Sequence, residues 1–388
     1  MDGSEKDNYD MRVLSDLGQV SAVAWNELVQ GQCGRLHPLL RHEFLHALHA
    51  TGCASPATGW EPQYLTLWRQ QRLLAAVPLY VKHHSYGEYV FDWSWAEAYR
   101  RQGQHYYPKW LSAIPFSPVG APKILGSDDT ARLALVQQLL RLVQSSPLSS
   151  WHGLFLAPDE MRWFEALGCS MRRSVQFHWH NRAYTDFGHF LHQLSAAKRR
   201  KIRAERRKVA QQGLRTEVLT GTDLQPWHWQ FFVRCYEKTY HEHHSSPYLN
   251  LAFFERIGQT MGEQIALFMA YQGDSPVASS LCLYDGHTLF GRYWGALQAL
   301  DCLHFELCYY APIEFCITRN LQLFEGGAQG EHKLARGFEP SEMYSAHWLA
   351  HSGFAAAVER FLGYESVGLD GYLDEMREHS AFSARFEP

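Results

Sequence analysis

The sequence lacks the features that would place it in a membrane or in an oxidising compartment. No apolar run approaches the roughly 18–20 residues that a membrane-spanning helix needs. The opening stretch MDGSEKDNYD is polar and acidic, without the basic-then-apolar order of a signal peptide. The eight cysteines contain no C-x-x-C pair, and several, such as Cys282, lie inside apolar stretches. These absences predict a reduced, cytoplasmic protein without membrane insertion.

The chain also lacks a strong net charge and a recognisable metal site. Its 36 Lys+Arg and 40 Asp+Glu leave a formal charge of −4, which excludes a protein that is basic throughout. The densest histidine group, His241, His243 and His244, has no i, i+4 pair of the kind that binds zinc on a helix. We therefore predict no metal. The 388 residues, 46% of them apolar, are enough for two or three packed domains.

Hydrophobic periodicity predicts a mixture of helices and strands in the first half of the chain. Helical spacing is present at 25–29 and 43–48, and two β-type runs joined by a polar turn predict a hairpin over 64–81. A further strand is predicted at 87–91, leading into an aromatic loop. An amphipathic helix is predicted over 129–143.

The second half of the chain has a similar order of elements. Strands are predicted at 265–271, 277–284 and 288–294, followed by a helix over 305–320 and a short strand at 321–324. The strand–turn–strand pattern recurs after about 200 residues. This weak internal repeat predicts two similar α/β lobes.

Several longer runs resemble one known family. They are SYGEYVFDWSW at 85–95, YYPK at 106–109, QFHW at 176–179, GRYWG at 291–295, FELCYY at 305–310 and EGGAQGEHKLARGF at 325–338. Together they resemble the FemAB-like branch of the GNAT acyltransferase superfamily over nearly the whole chain. The resemblance implies an α/β (α+β) fold of two tandem GNAT-like lobes, each a mixed β-sheet flanked by helices. We place the lobes at 1–183 and 184–388, the second with a basic helix at 187–210 and a C-terminal helix.

The resemblance leaves two acyl donors to weigh. GNAT enzymes that use acetyl-CoA carry a glycine-rich phosphate loop, whose backbone N–H groups approach a pyrophosphate at a helix N-terminus. The matching segment here, 295–306, has no such glycine pattern, and Asp301 and Glu306 would repel phosphate. Fem-type ligases lack that loop too and use aminoacyl-tRNA. We therefore favour aminoacyl-tRNA over an acyl-CoA.

One segment is strongly basic and suits an RNA donor. Positions 198–208 hold eight basic residues and one acidic residue, and they continue a helix with an apolar face. The alternative is a charged helix face exposed to solvent, which is the usual role of such a run. The predicted RNA- or phosphate-binding residues are Lys198, Arg199, Arg200, Lys201, Arg203, Arg206, Arg207 and Lys208.

The second lobe carries the predicted reaction centre. Glycines after Glu325 allow backbone to approach a ligand closely, and their N–H groups could stabilise an oxyanion. The predicted catalytic residues are Glu325, His304, Glu306, His332 and Lys333, the acids and histidines as general bases and Lys333 as a charge-stabilising group. The predicted substrate-binding residues are Arg292, Tyr293, Trp294, Gly326, Gly327, Gln329 and Arg336. The alternative is that Gly326 and Gly327 only make a turn and that Glu325 caps it or pairs with Lys333 or Arg336.

The first lobe carries a predicted acceptor site. Its residues are Lys82, Tyr86, Tyr89, Asp92, Trp93 and Trp95. Aromatic rings beside charged groups suit a flat or cationic ligand, held by stacking or cation–π contact. A tryptophan-rich packing seam is the alternative.

These residues together predict an acyltransferase that forms an amide by moving an acyl or aminoacyl group to a small amine-bearing acceptor. No tightly bound cofactor is predicted, because the acyl donor, aminoacyl-tRNA or acyl-CoA, is a co-substrate. The alternatives are an acyl-CoA-dependent GNAT N-acyltransferase and a non-catalytic protein that binds RNA or a cell-wall precursor. The sequence does not indicate an oligomeric state.

Overall fold

The structure, a computed structural model, describes residues 9–327 and 330–383. The chain is divided between two units, each formed from two segments. Unit 1 contains Met1–Ser174 and Met343–Gly368, and unit 2 contains Val175–Glu342 and Leu369–Pro388. The predicted boundary at residue 183 lies close to the first crossing point. The predicted division into two continuous lobes did not include the return of residues 343–368 to unit 1.

Unit 1 contains two groups of strands with helices beside them. Its strands are β1 (Asp10–Leu14), β2 (Trp60–Pro62), β3 (Tyr64–Arg69), β4 (Arg72–Val77), β5 (Tyr80–Lys82), β6 (Lys109–Ser112), β7 (Leu125–Gly126) and β8 (Ser150–Leu156). Its helices are α1 (Ala22–Cys33), α2 (His42–Ala50), α3 (Trp93–Arg101), α4 (Asp129–Ser145) and α5 (Pro158–Ala166). One sheet has the order β1-β3-β4-β7, and the other strands follow the order β8-β6-β5-β2.

Unit 2 is built on a sheet with the order β10-β11-β12-β13-β14-β9. Its strands are β9 (Ser170–His180), which begins in unit 1, β10 (Leu214–Thr220), β11 (Ile265–Gln272), β12 (Ser275–Tyr284), β13 (Thr288–Ala296) and β14 (Leu323–Glu325). Its helices are α6 (Phe187–Gln193), α7 (Ala196–Gln211), α8 (Pro226–Glu242), α9 (Leu251–Met261), α10 (Leu303–Phe305) and α11 (Ala311–Thr318). A π turn, Glu306–Tyr310, joins the last two, and a 3-10 helix, Glu331–Arg336, follows β14.

The last two elements return the chain to unit 1 and then to unit 2. Strand β15 (Glu339–Leu349) pairs antiparallel with β8 through its unit 1 residues, and α12 (Ser352–Glu378) follows it. The predicted fold class is confirmed, because both units combine strands and helices in a mixed α/β architecture. No helix within the described ranges is long and apolar enough to cross a membrane.

The apolar spacing placed the long elements correctly. Helix α4 matches the helix predicted over 129–143, and it buries Leu135, Val136 and Leu139 in a core shared with β3 and β4. The three strands predicted between 265 and 294 are β11, β12 and β13, an antiparallel run whose residues are mostly buried. The helix predicted over 305–320 is present as α10, the π turn and α11.

Three local predictions were wrong. The stretch 87–91 is a loop and not a strand, because Gly87 and Tyr89 have φ of +80° and +62°, which an extended backbone excludes. The aromatic loop predicted after it is helix α3, with Asp92 as its N-cap residue. The second half of the hairpin predicted over 64–81 is two strands, β4 and β5, because Pro78 interrupts the run.

The basic helix predicted as one element over 187–210 is two helices. Helix α6 ends at Gln193, and Leu194 and Ser195 are extended before α7 begins at Ala196. The Ser195 N–H donates to the carbonyl of Ala381, and Leu194 forms an isolated β-bridge with Phe382. These contacts with the C-terminal segment of unit 2 therefore keep Leu194 and Ser195 extended between the two helices.

Candidate active site

The sheet of unit 2 opens between β13 and β14. These parallel strands pair over only three positions, Thr288–Phe290 with Leu323–Glu325. Beyond Phe290, β13 continues to Ala296 and remains paired with β12 on its other side. In the described part of the chain, no strand continues β14 along that edge, so the residues that follow Glu325 lie at the mouth of an opening in the sheet.

A glycine turn and a buried lysine border this opening. A Cβ added to Gly326 would lie 2.8 Å from the Phe338 ring and 3.4 Å from Cε of Lys333, so this approach requires glycine. Gly327 has φ +86°. Lys333 is 1% exposed, and its Nζ donates to the Gly327 carbonyl at 2.7 Å. Burial lowers the pKa of Lys333 to about 8, so both protonation states are accessible near neutral pH.

The π turn places polar side chains beside this lysine. Cys308 lies on the turn, with its Sγ 3.9 Å from the Ser280 hydroxyl on β12. Burial raises the pKa of Cys308 to about 12, although the charge of Lys333 acts in the opposite direction. The thiol is therefore neutral. Because π turns are rare and often occur at functional sites, the π turn and the glycine turn both indicate a functional site in this region.

Two of the predicted histidines also belong to this region. Nε2 of His332 lies 2.8 Å from the Tyr309 hydroxyl. The ring of His304 lies 5.0 Å from that of Trp294 and 6.4 Å from that of His332. Burial, with the charges of His332, Arg336 and Lys333, lowers the pKa of His304 to about 4. Both rings are neutral near pH 7 and can accept a proton.

Glu325 is buried at the end of β14, and its strand neighbour is a histidine that the sequence analysis passed over. His178 on β9 lies directly opposite Glu325 in the antiparallel ladder. The two side chains therefore project from the same face of the sheet. Nε2 of His178 is buried without a hydrogen-bond partner in the described part of the chain. Burial lowers the pKa of His178 to about 3, so the ring is neutral.

Glu306 and Arg336 are held in ion pairs within unit 2. Glu306 receives hydrogen bonds from Arg206 at 2.8–3.2 Å. Arg336 is 2% exposed and contacts Glu205 at 3.0 Å, while its other nitrogens donate to the Tyr310 hydroxyl and the His332 carbonyl. These pairs connect α7 to the π turn and to the 3-10 helix. The predicted role of Glu306 as a general base and that of Arg336 in substrate binding remain predictions.

The remaining predicted residues of this lobe lie on the part of β13 that pairs with β12 but not with β14, or outside the described residues. Tyr293 packs against Tyr236, with ring centroids 5.1 Å apart, and receives a hydrogen bond from Arg292 at 3.3 Å. Trp294 is half-buried beside His304. Gln329 lies outside the described residues.

Helix α7 presents most of its cations to solvent. Ile202, Glu205 and Val209 form its buried side. The fully exposed basic residues are Arg200, Lys201, Arg203, Arg207 and Lys208, while Lys198, Arg199 and Arg206 are half-buried. Of these, Arg206 is neutralised by Glu306 and Glu314. The predicted basic surface is therefore present on α7, but Arg206 is not part of it.

The predicted acceptor residues of the first lobe divide into a buried group and an exposed rim. Lys82, Asp92 and Trp95 are buried, Tyr89 is half-buried, and Tyr86 and Trp93 are 59% and 42% exposed. The rings of Tyr86 and Trp93 lie 5.2 Å apart. The sequence analysis did not single out Lys109, a buried cation that pairs with Asp92 and with the nearby Glu88. In the sequence, Lys109 could have been noticed as the last residue of the YYPK run at 106–109, after two tyrosines and a proline.

The family is established by comparison of the sequence with family models. The chain belongs to the FemAB-like family, described as peptidoglycan biosynthesis/recognition, whose model matches residues 16–384. The resemblance inferred from the motifs is thereby confirmed. Comparison with curated proteins gives no significant match.

Two solved structures share the fold at low sequence identity. FemX superposes with a TM-score of 0.55 at 10% identity, covering 88% of this chain and 98% of FemX. L-PGS from Bacillus licheniformis superposes with a TM-score of 0.53 at 8% identity, covering 88% and 97% of the two chains. At such identities the similarity establishes the fold, and the activity has to be argued from the site. Among the described residues, no group of three or more His, Cys, Asp or Glu is placed to hold a metal ion.

Proposed function

We propose that the protein is an acyltransferase that forms an amide, with aminoacyl-tRNA as the acyl donor and a small amine as the acceptor. The observation that carries the proposal is that one unit holds both the opening bordered by Lys333 and the exposed cationic face of α7. Membership of the FemAB-like family supports the reaction class.

The residues at the opening suit attack of an amine on an ester carbonyl. As the amine nitrogen bonds to the carbonyl carbon, negative charge develops on the carbonyl oxygen. Protonated Lys333 and the N–H groups of the glycine turn are the groups that would stabilise it. The neutral rings of His304 and His332 are candidates to accept the proton that the amine loses. Collapse of the intermediate breaks the bond to the 3′-oxygen of the tRNA, which takes the proton from the histidine that accepted it and leaves as a hydroxyl.

The segment before α10 favours RNA over coenzyme A as the donor. Gln212 binds both the N–H and the carbonyl of Asp301, at 3.1 and 3.0 Å, and fixes this acidic residue near the start of the helix. Negative charge at a helix N-terminus opposes the pyrophosphate of coenzyme A. The exposed cations of α7 provide the electrostatic attraction that an RNA donor needs.

The proposal requires no tightly bound cofactor, because the acyl group arrives on its carrier. It also places the protein in the cytoplasm, where charged tRNA is available.

The direct experiment offers both donors to the same preparation. Total tRNA charged with radiolabelled amino acids, and separately a set of acyl-CoAs, are incubated with the protein and a mixture of small amines. We expect amine-dependent loss of label from tRNA and none from the thioesters. Consumption of acyl-CoA alone would overturn the choice of donor, and consumption of neither would overturn the proposed reaction.

A further inference from the structure

Unit 1 buries a compact group of two lysines and two carboxylates. Lys82 on β5, Glu88 and Asp92 in the loop before α3, and Lys109 on β6 are each at most 4% exposed. Lys109 donates to Glu88 Oε2 at 2.8 Å, to Asp92 Oδ2 at 2.5 Å and to the Ser85 hydroxyl at 2.8 Å. Because desolvating charges is costly, a group of this kind needs its hydrogen bonds satisfied.

Hydrogen bonds fix Asp92 from a second side. The Tyr106 hydroxyl donates to Asp92 Oδ2 at 2.6 Å and lies 2.9 Å from Nε2 of His152. Nδ1 of His152 is in turn 2.8 Å from Nδ1 of His347. Burial lowers the pKa of both histidines. The neutral rings therefore orient the Tyr106 hydroxyl, which holds one carboxylate oxygen of Asp92 in place.

The network leaves specific polar atoms unused. Each carboxylate gives one oxygen to Lys109, whereas Glu88 Oε1 and Asp92 Oδ1 are buried without a partner in the described part of the chain. Lys82 makes one hydrogen bond there, to the Tyr86 carbonyl at 3.3 Å, and its Nζ lies 3.9 Å from the centroid of the Trp60 ring. A buried acceptor without a hydrogen bond destabilises the folded protein. Two such oxygens in a group whose second lysine has unused donors indicate a missing ligand.

The charge of the group limits what that ligand can be. Burial lowers the pKa of Lys82 to about 7 and raises that of Glu88 to about 7, so these two groups gain or lose charge together and the group of four is neutral in sum near pH 7. A ligand with net charge would unbalance this buried group, whereas a zwitterion would not. The free acceptors need a donor such as an ammonium group, and the free donors of Lys82 need an acceptor such as a carboxylate.

We propose that unit 1 binds a free α-amino acid, with its ammonium group on Glu88 Oε1 and Asp92 Oδ1 and its carboxylate on Lys82. The site goes beyond the proposed function and does not depend on it. The binding itself requires no acyl donor.

The exposed rim supplies a place for an apolar side chain. Tyr86, Phe91 and Trp93 are between 42% and 62% exposed, although they belong to the loop and helix start that cover the buried group. Gly87 and Tyr89 in this loop have positive φ, a conformation that is retained in a non-glycine residue only when its surroundings require it. The loop therefore turns Glu88 inward while it leaves the aromatic rings at the surface.

Calorimetric titration of the full chain with each standard L-amino acid, without any donor, tests this site. We expect at least one to bind below about 5 mM. For that amino acid, the N-acetyl derivative lacks the ammonium group and the amide lacks the carboxylate. Each should bind at least about tenfold more weakly, because each loses a charge-assisted hydrogen bond. Glu88→Gln should weaken binding to a similar extent, and Glu97→Gln, on the exposed face of α3, should not.

Two results would overturn the site. They are the absence of binding by every amino acid, which would mean that water satisfies the two oxygens, and equal binding of the derivatives. The derivative comparison uses the unaltered protein, so it decides the question even if Glu88→Gln does not fold. If no amino acid binds, the proposed transfer from charged tRNA to another amine still stands. If that transfer is absent, amino acid binding still stands.

Discussion

Replacement of three arginines on the outer face of α7 should remove most of the affinity for tRNA. Arg200, Arg203 and Arg207 are exposed and lie on one side of the helix, over a length of about 10 Å. Each contact with a phosphate contributes about 0.7–0.9 to the slope of log K against log salt. Changing all three to alanine should therefore reduce the slope by about 2–3, and the affinity near 0.1 M salt by about 100- to 1,000-fold.

Fluorescence anisotropy of labelled tRNA over a series of salt concentrations measures both quantities. The matched control changes Arg100, Arg101 and Arg141 to alanine, because these arginines are exposed on unit 1 and their loss alters the net charge equally. We expect the control to retain the slope of the unaltered protein. If the α7 variant keeps that slope, or if both variants lose affinity equally, the cations of α7 do not form the RNA surface.

Two further substitutions test the packing of the units. Lys109→Met should destabilise unit 1 by about 3–5 kcal/mol, a fall in Tm of about 6–20 °C, because it leaves two buried carboxylates uncompensated. Lys109 holds the pKa of Asp92 below its usual value, so its contribution should be fully present above about pH 4 and the deficit should shrink as pH falls below that; a deficit that stays constant in acid would contradict this. Gly295→Ala places a Cβ 2.0 Å from the Cys235 carbonyl oxygen, so chemical denaturation should show a loss of about 1–3 kcal/mol or more, whereas Gly31→Ala meets no atom and should be neutral or stabilising.

The sequence was sufficient for elements whose pattern is local. The apolar periodicity of α4 and the β-type runs of β11–β13 are strong enough to be recognised without tertiary contacts. It was insufficient where distant contacts decide the backbone. The loop containing Glu88 has a strand-like composition, but an ion pair with Lys109, 21 residues away, turns it inward. The break between α6 and α7 likewise depends on Ala381.

The candidate site was predictable in outline because part of its pattern is also local in the sequence. Glycines after Glu325 and a following lysine are visible in sequence, and the structure brings both to the mouth of the opening. Ion pairing is not visible in this way, because Arg336 meets Glu205 across 131 positions. His178 could have been found only from the register of β9 against β14, since an isolated histidine in a strand carries no signal of its own.

Single-turnover transfer from charged tRNA to an amine, measured with Lys333→Met, tests the central claim most directly. Lys333 is the buried cation at the glycine turn, so its loss should slow transfer by about 100- to 1,000-fold. Tm and tRNA affinity should stay close to those of the unaltered protein. The control is Lys238→Met, on a half-buried lysine of α8 that pairs with the exposed Glu242. A Lys333→Met variant that is folded, binds tRNA and transfers at the original rate would contradict the account.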